Sequence, residues 1–202
     1  MKHILLALLA LAASAGLALG QGTVPRRDPA QEKPIDAYCA KLDKELQPKK
    51  QKPREFARLV GKGYQEILTD KEVIDNTGGE GYSIDFVWSR QDGAIILHTY
   101  DESGSGDIQT YTDYWFRPDG TLARYKSGVV SIYDLTRYGQ DTDGCVTLRY
   151  YSEKGDLISE RSYFGYGRKK VKQSGCSPNN YGRWLNMQDE PWYKLIHSEP
   201  AQ

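Results

Sequence analysis

Tyr82-Ser83-Ile84-Asp85-Phe86-Val87-Trp88-Ser89 decides how this chain folds, because Tyr82, Ile84, Phe86 and Trp88 alternate with Ser83, Asp85, Val87 and Ser89. A two-residue period sends successive side chains to opposite faces of a strand, one buried and one wetter, as an antiparallel sheet requires. The stretch runs into Gln91-Asp92-Gly93, where glycine supplies the positive φ of a short hairpin turn. Further strands are predicted over 94–101, 108–117, 121–130, 145–152 and 157–164, and the same turn chemistry recurs at Pro118-Asp119-Gly120 and Glu153-Lys154-Gly155.

Upstream of the Gly-rich turn Asn76 to Gly81 the period is helical. Ile35, Tyr38, Cys39, Leu42 and Leu46 recur at steps of three and four, with Asp36 placed to cap the start and Pro48 to end the helix. A second stripe after Pro53, made of Phe56, Leu59, Val60, Tyr64, Ile67 and Leu68, predicts another helix, which Gly61 and Gly63 weaken by about 1 kcal/mol each. Helices first and strands afterwards predict an α+β fold, with N-terminal helices packed on a bent antiparallel sheet formed as a meander of hairpins.

Residues 1–20 read as a secretory signal: Lys2 and His3 form a basic start, Ile4 to Ala13 an apolar run, and Ala18-Leu19-Gly20 a small-residue cleavage site. Cuts after Ala15 or Ala18 fit the same pattern. Residues 21–34, with Pro25, Pro29 and Pro34, are expected to form a flexible lead-in, and residues 35–202 a single domain. The expectation is an exported protein, soluble in a periplasm or outside the cell. Lysine plus arginine number 27 and aspartate plus glutamate 27, so no net charge points to nucleic acid or a membrane surface. No later apolar run is long enough for a membrane helix.

Three cysteines in an oxidising compartment leave one over, and the expected bridge joins Cys145 to Cys176, with Cys39 as a buried thiol on the helix. The three glycine turns carry similar flanks: Phe86-Val87-Trp88, Tyr114-Trp115-Phe116 and Leu148-Arg149-Tyr150-Tyr151 before them, and Ile95, Leu122 and Leu157 after. This aromatic hairpin unit is similar in style to hairpin arrays of the MORN and RHS type, although its turns are unevenly spaced.

Fifteen tyrosines and four tryptophans invite a binding role, because an aromatic ring can stack on a ligand while its polar tip stays wet. Aromatics on both faces of 111–116 point to a ligand cavity, so Trp88, Tyr111, Tyr114 and Trp115 are the candidate ligand-binding residues. The alternative use of the same side chains is sheet core. Asp101, Ser103, Ser105 and Asp107 sit at alternate positions like the opening of a calcium loop, although position twelve is Thr112 rather than glutamate. Asp141-Thr142-Asp143-Gly144 is a second acidic turn.

No catalytic set is legible. His98 and His197 have no ligand spacing for zinc, no Gly-x-Ser-x-Gly element occurs, and Asp85, Asp101 and Asp113 look like sheet-surface acids as much as a glycosidase pair. The basic runs Lys49-Lys50-Gln51-Lys52-Pro53-Arg54 and Arg168-Lys169-Lys170-Val171-Lys172 could bind anionic polymer or lipid headgroups, but read first as solvated loops that keep edges from aggregating. The tail 181–197, with Trp184, Leu185, Trp192, Tyr193, Leu195 and Ile196, is apolar enough to fold back on the domain. The sequence thus favours a non-enzymatic protein binding a small or apolar ligand. A structural or interaction protein of the cell envelope is the alternative, and a hydrolase comes third.

The intact mass of the protein exported by its own host should correspond to a chain starting at Gln21, and a non-reduced peptide map should link Cys145 to Cys176. Recovery of all three thiols in reduced form would remove the bridge.

Overall fold

The computed structural model describes residues 28–46, 51–59, 61–75, 81–131, 144–166, 169–171 and 186–197. Nine strands form one antiparallel sheet: β1 (Arg54–Leu59), β2 (Gly63–Ile67), β3 (Gly81–Ser89), β4 (Ile95–Ser103), β5 (Ile108–Phe116), β6 (Leu122–Ser131), β7 (Gly144–Tyr151), β8 (Leu157–Tyr166) and β9 (Lys169–Val171). Their spatial order is β2-β1-β3-β4-β5-β6-β7-β8-β9, a meander in which only the first hairpin is turned outward. Bulges at Trp115/Phe116 and Tyr150/Tyr151 interrupt the ladder and bend the strands that carry them.

The hairpin turns between β3 and β4, β5 and β6, and β7 and β8 share one bonding pattern at the same end of the sheet. In each, the first residue's N–H donates to the carbonyl four residues on, and the glycine N–H donates back: Arg90 to Ala94, Arg117 to Thr121 and Ser152 to Asp156, at 2.8 Å each. Gly93, Gly120 and Gly155 hold φ of 93°, 89° and 84° there, the left-handed backbone a side chain resists.

The second predicted helix is a hairpin. Residues 54–67 form β1 and β2, and Gly61 and Gly63, with φ of 74° and 77°, make the reversal between them. Phe56 stacks on Tyr64 across the pair at 6.2 Å, on one face, while Ala57 and Leu59 are buried on the other. With both faces covered, the strand shows no polar alternation and imitates a helical stripe.

The first helix, α1 (Pro29–Leu46), starts six residues before the expected domain boundary at Ile35. Pro29 opens it, where its missing N–H costs nothing, and the Asp28 carboxylate accepts from the Ala30 and Gln31 N–H groups at 3.1 and 3.4 Å. Asp36, expected to cap the start, instead faces the sheet. A short helix, α2 (Asp70–Ile74), buries Val73 against Ala57, Leu59, Ile67 and Ile84. A 3-10 turn (Met187–Asp189) leads into α3 (Pro191–His197), and buried Met187 and Trp192 show that the tail folds back over its described part, 186–197; Trp184 and Leu185 lie outside the described residues. Among the described residues no helix is long and apolar enough to cross a membrane.

The sheet is therefore covered twice. On one side Ile35, Cys39, Leu42 and Leu46 of α1 pack on Trp88, Ile96, Trp115, Val146 and Tyr150. On the other Met187 and Trp192 pack on Phe56, Val87, Leu97, Tyr114 and Tyr125. We call these the helix face and the tail face.

Polar contacts fix how α1 lies. The Arg124 guanidinium stacks 3.9 Å from the Trp115 ring centre and donates to Asp36 at 2.8 Å, while the Trp115 indole donates to Asp43 at 2.7 Å. Further along, buried Glu32 accepts from the Ser159 hydroxyl at 2.6 Å, and Glu45 accepts from Arg90 at 2.6 Å. These partners run from β8 back to the end of β3, so α1 crosses the strands rather than following them.

Arg124→Ala should lower the free energy of unfolding by roughly 2–3 kcal/mol in urea titrations. That is somewhat less than a fully buried pair, because the Asp36 side chain is 44% exposed.

Candidate functional site

A groove opens where α1 passes over the turn end of the sheet. Gln31, Pro34, Ile35 and Tyr38, spaced three, four and seven along the helix, form one wall. Arg117 and Pro118 from the β5–β6 turn, and Tyr151, Ser152 and Glu153 from the β7–β8 turn, form the other wall, with Ile158 completing the lining. The cavity measures about 460 Å³, within the range of small-molecule sites.

The polar groups in these walls are largely committed to the protein. The Tyr38 hydroxyl donates to the Phe116 carbonyl at 2.9 Å, and burial pushes its pKa up to about 12, so it stays a neutral donor. The Ser152 hydroxyl accepts from the Lys154 and Asp156 N–H groups at 3.2 and 3.1 Å, closing its own turn. Arg117 spans two turns, donating through Nη1 to the Leu122 and Ser152 carbonyls at 2.8 and 3.2 Å and through Nη2 to the Tyr151 carbonyl at 2.8 Å. What remains facing the cavity is mainly the apolar surface of two prolines, two isoleucines and two tyrosines.

The aromatic candidates do not form one surface. Trp88 and Trp115 lie beneath α1, with Trp88 donating to the Gln51 carbonyl at 3.3 Å. Tyr114 is on the tail face, stacked on Phe116 at 5.9 Å. Tyr111 returns to the helix face but two rows from Trp115, where it pairs with Gly128 across to β6 and lies 5.0 Å from the Lys126 ammonium.

The calcium-loop candidates are spread out as well. Asp101 stands on the tail face within β4, hydrogen-bonded to Ser83, and burial raises its pKa. Ser103, Ser105 and Asp107 close the β4–β5 hairpin on itself: Ser103 and Ser105 both donate to the Asp107 carboxylate, and the Ile108 N–H donates to the Ser103 hydroxyl at 3.1 Å. Among the described residues no three histidine, cysteine or acidic side chains are arranged to hold a metal. The second acidic turn, Asp141 to Asp143, lies outside the described residues.

Cys39 is a free thiol, wholly buried, and burial lifts its pKa to about 12, far from a nucleophile's range. Cys145 opens β7 and is not among the free thiols. Its expected partner Cys176 lies outside the described residues.

Of the three acids weighed as a glycosidase pair, Asp85 and Asp101 share the tail face and Asp113 lies on the helix face. His98 and Asp113 share a 2.6 Å hydrogen bond on the helix face. Asp85 lies on the tail face, accepting from the Tyr64 hydroxyl at 2.5 Å and the Thr99 hydroxyl at 2.6 Å. Burial raises the Asp85 pKa, the two hydroxyl bonds oppose it, and the Asp101 charge adds to the rise.

No protein family, curated protein or solved structure matches the chain.

The groove was missed in the sequence because its helical wall begins inside the segment read as a flexible lead-in. Its other wall is made of turn residues whose glycines explained them. The repetition of the turns was the available signal, since three identical reversals at one end of a sheet make a continuous rim.

Asp85 sets a pH dependence. Its folded pKa lies above the ordinary 3.8, so the stability it contributes is complete below that pH and is lost as pH rises through the raised value. Urea midpoints should fall over that interval, and Asp85→Asn, which carries no charge, should flatten the fall.

Proposed function

We propose that this chain is an exported, soluble, non-catalytic protein that binds a small, mainly apolar ligand in the groove between α1 and the turn end of the sheet. The observation that carries the reading is the cavity of about 460 Å³ whose polar wall groups are mostly bonded within the protein, leaving an apolar lining. A preformed apolar concavity of this size is where a small molecule gains most from leaving water. The N-terminal signal pattern supports export, and the committed hydroxyls and the high thiol pKa support binding rather than turnover.

The aromatic sheet has a different part in this reading. Trp88, Tyr114 and Trp115 build the two cores that hold the helix and the turns in place, and the ligand meets Tyr38 and Tyr151 instead.

The uncharged fluorescent probe N-phenyl-1-naphthylamine tests the site. It should bind one per chain with enhanced emission. Gln31→Trp should weaken it about tenfold by filling the mouth, an effect equal to about two buried methylenes. Because Gln31 is exposed, the melting temperature should not change. Absence of probe binding to the wild-type protein would sink the reading.

A further inference from the structure

We infer that the groove's ligand is an anionic amphiphile, an apolar body ending in a carboxylate that is received by the Arg117 guanidinium. The inference rests on the groove being a ligand site and adds the chemistry of its occupant.

A guanidinium has five N–H donors in a rigid plane and no acceptor. Arg117 spends Nη1 on Leu122, Ser152 and, at 3.4 Å, Thr121, and one Nη2 hydrogen on Tyr151. The Nε–H bonds no acceptor among the described residues and Nη2 bonds one, and Nε and Nη2 together form the edge of the plane that a carboxylate engages with two parallel bonds.

Its charge also has no bonded counterion. Arg90, Arg124, Arg149 and Arg161 each form an ion pair with an acidic side chain, whereas Arg117 forms none among the described residues and bonds only carbonyl and hydroxyl oxygens; the exposed Asp119 carboxylate, held by Thr121, feels its charge without pairing with it. A half-buried cation with no acid bonded to it, and only an exposed, solvent-screened one nearby, gives the groove a positive potential, stronger than in open water because the surroundings are apolar. The carbonyls of two turns hold the fork in place, so an arriving anion need not pay to order it.

Glu153 is the one acid in the lining, and its charge opposes an anion. It is exposed at the turn, where solvent and salt screen it, so the half-buried guanidinium dominates. An apolar body fits the remainder of the lining, Pro34, Ile35, Pro118 and Ile158. Phosphate-rich ligands fit less well, since a single cation beside apolar walls cannot match two charges.

The test is calorimetric titration of the full-length mature protein with three ligands of one shape: 6-phenylhexanoate, 6-phenylhexanol and 6-phenylhexylamine. The carboxylate should bind about tenfold tighter than the alcohol, the low end of what hydrogen bonds to a charged group contribute, and the amine should bind most weakly. Arg117→Lys keeps a cation but loses the fork, and should reduce the preference to about twofold. The wild-type ranking stands whether or not that variant folds. Equal binding of carboxylate and alcohol, or tightest binding of the amine, overturns the assigned ligand class and leaves the groove as a site. Failure of all three to bind overturns the groove as well.

Discussion

The contact between Arg124 and Trp115 is the constraint on which the rest of the molecule depends. A guanidinium lying flat 3.9 Å from an indole centre must find charged partners at its edges, because the ring covers one of its faces. Asp36 and Asp43, two turns apart on α1, meet Arg124 and Trp115 between them. That requirement fixes both the rotation of the helix about its axis and its direction across the strands. Once it is fixed, Tyr38 must point toward the turns and Cys39 into the core, and the groove follows as the space between the helix and the rim.

The second cover on the sheet explains why aromatic residues occupy both sides of β5. Tyr114 and Phe116 pack under α3 while Trp115 packs under α1, so each ring has a helix to meet. A sheet covered on one side only would have left one of those sets exposed to water. The groove therefore lies at the edge of a layer, between α1 and the hairpin turns, and not within the aromatic stack.

Strands β3 to β8 were readable because alternation and glycine turns agree there, residue by residue, within a window of about ten. The first hairpin was not readable for the same physical reason that makes it stable. Phe56 and Ala57 are both buried, on opposite faces, so apolar residues fall at helix-compatible positions and only Gly61 and Gly63 betray the reversal. The start of α1 was obscured by its prolines, which suit the opening of a helix as well as they suit a spacer. The candidate site was less legible still. Its lining comes from α1, two turns and β8, far apart in sequence, and each residue has a local role that hides the shared one. That Arg117 forms no ion pair among the described residues can be seen only once its neighbours are in place.

The crosswise path of α1 also orders events in time. Neighbouring strands of the meander pair soon after they are made, since each hairpin closes within a short loop. The helix, by contrast, finds Tyr150 across 114 residues and Ser159 across 127. In a chain synthesised N-terminus first, α1 emerges early and its last partners late. The groove cannot exist on a partial chain: it closes only when β8 has joined the sheet, so its presence would itself report that the chain has been made and folded through β8.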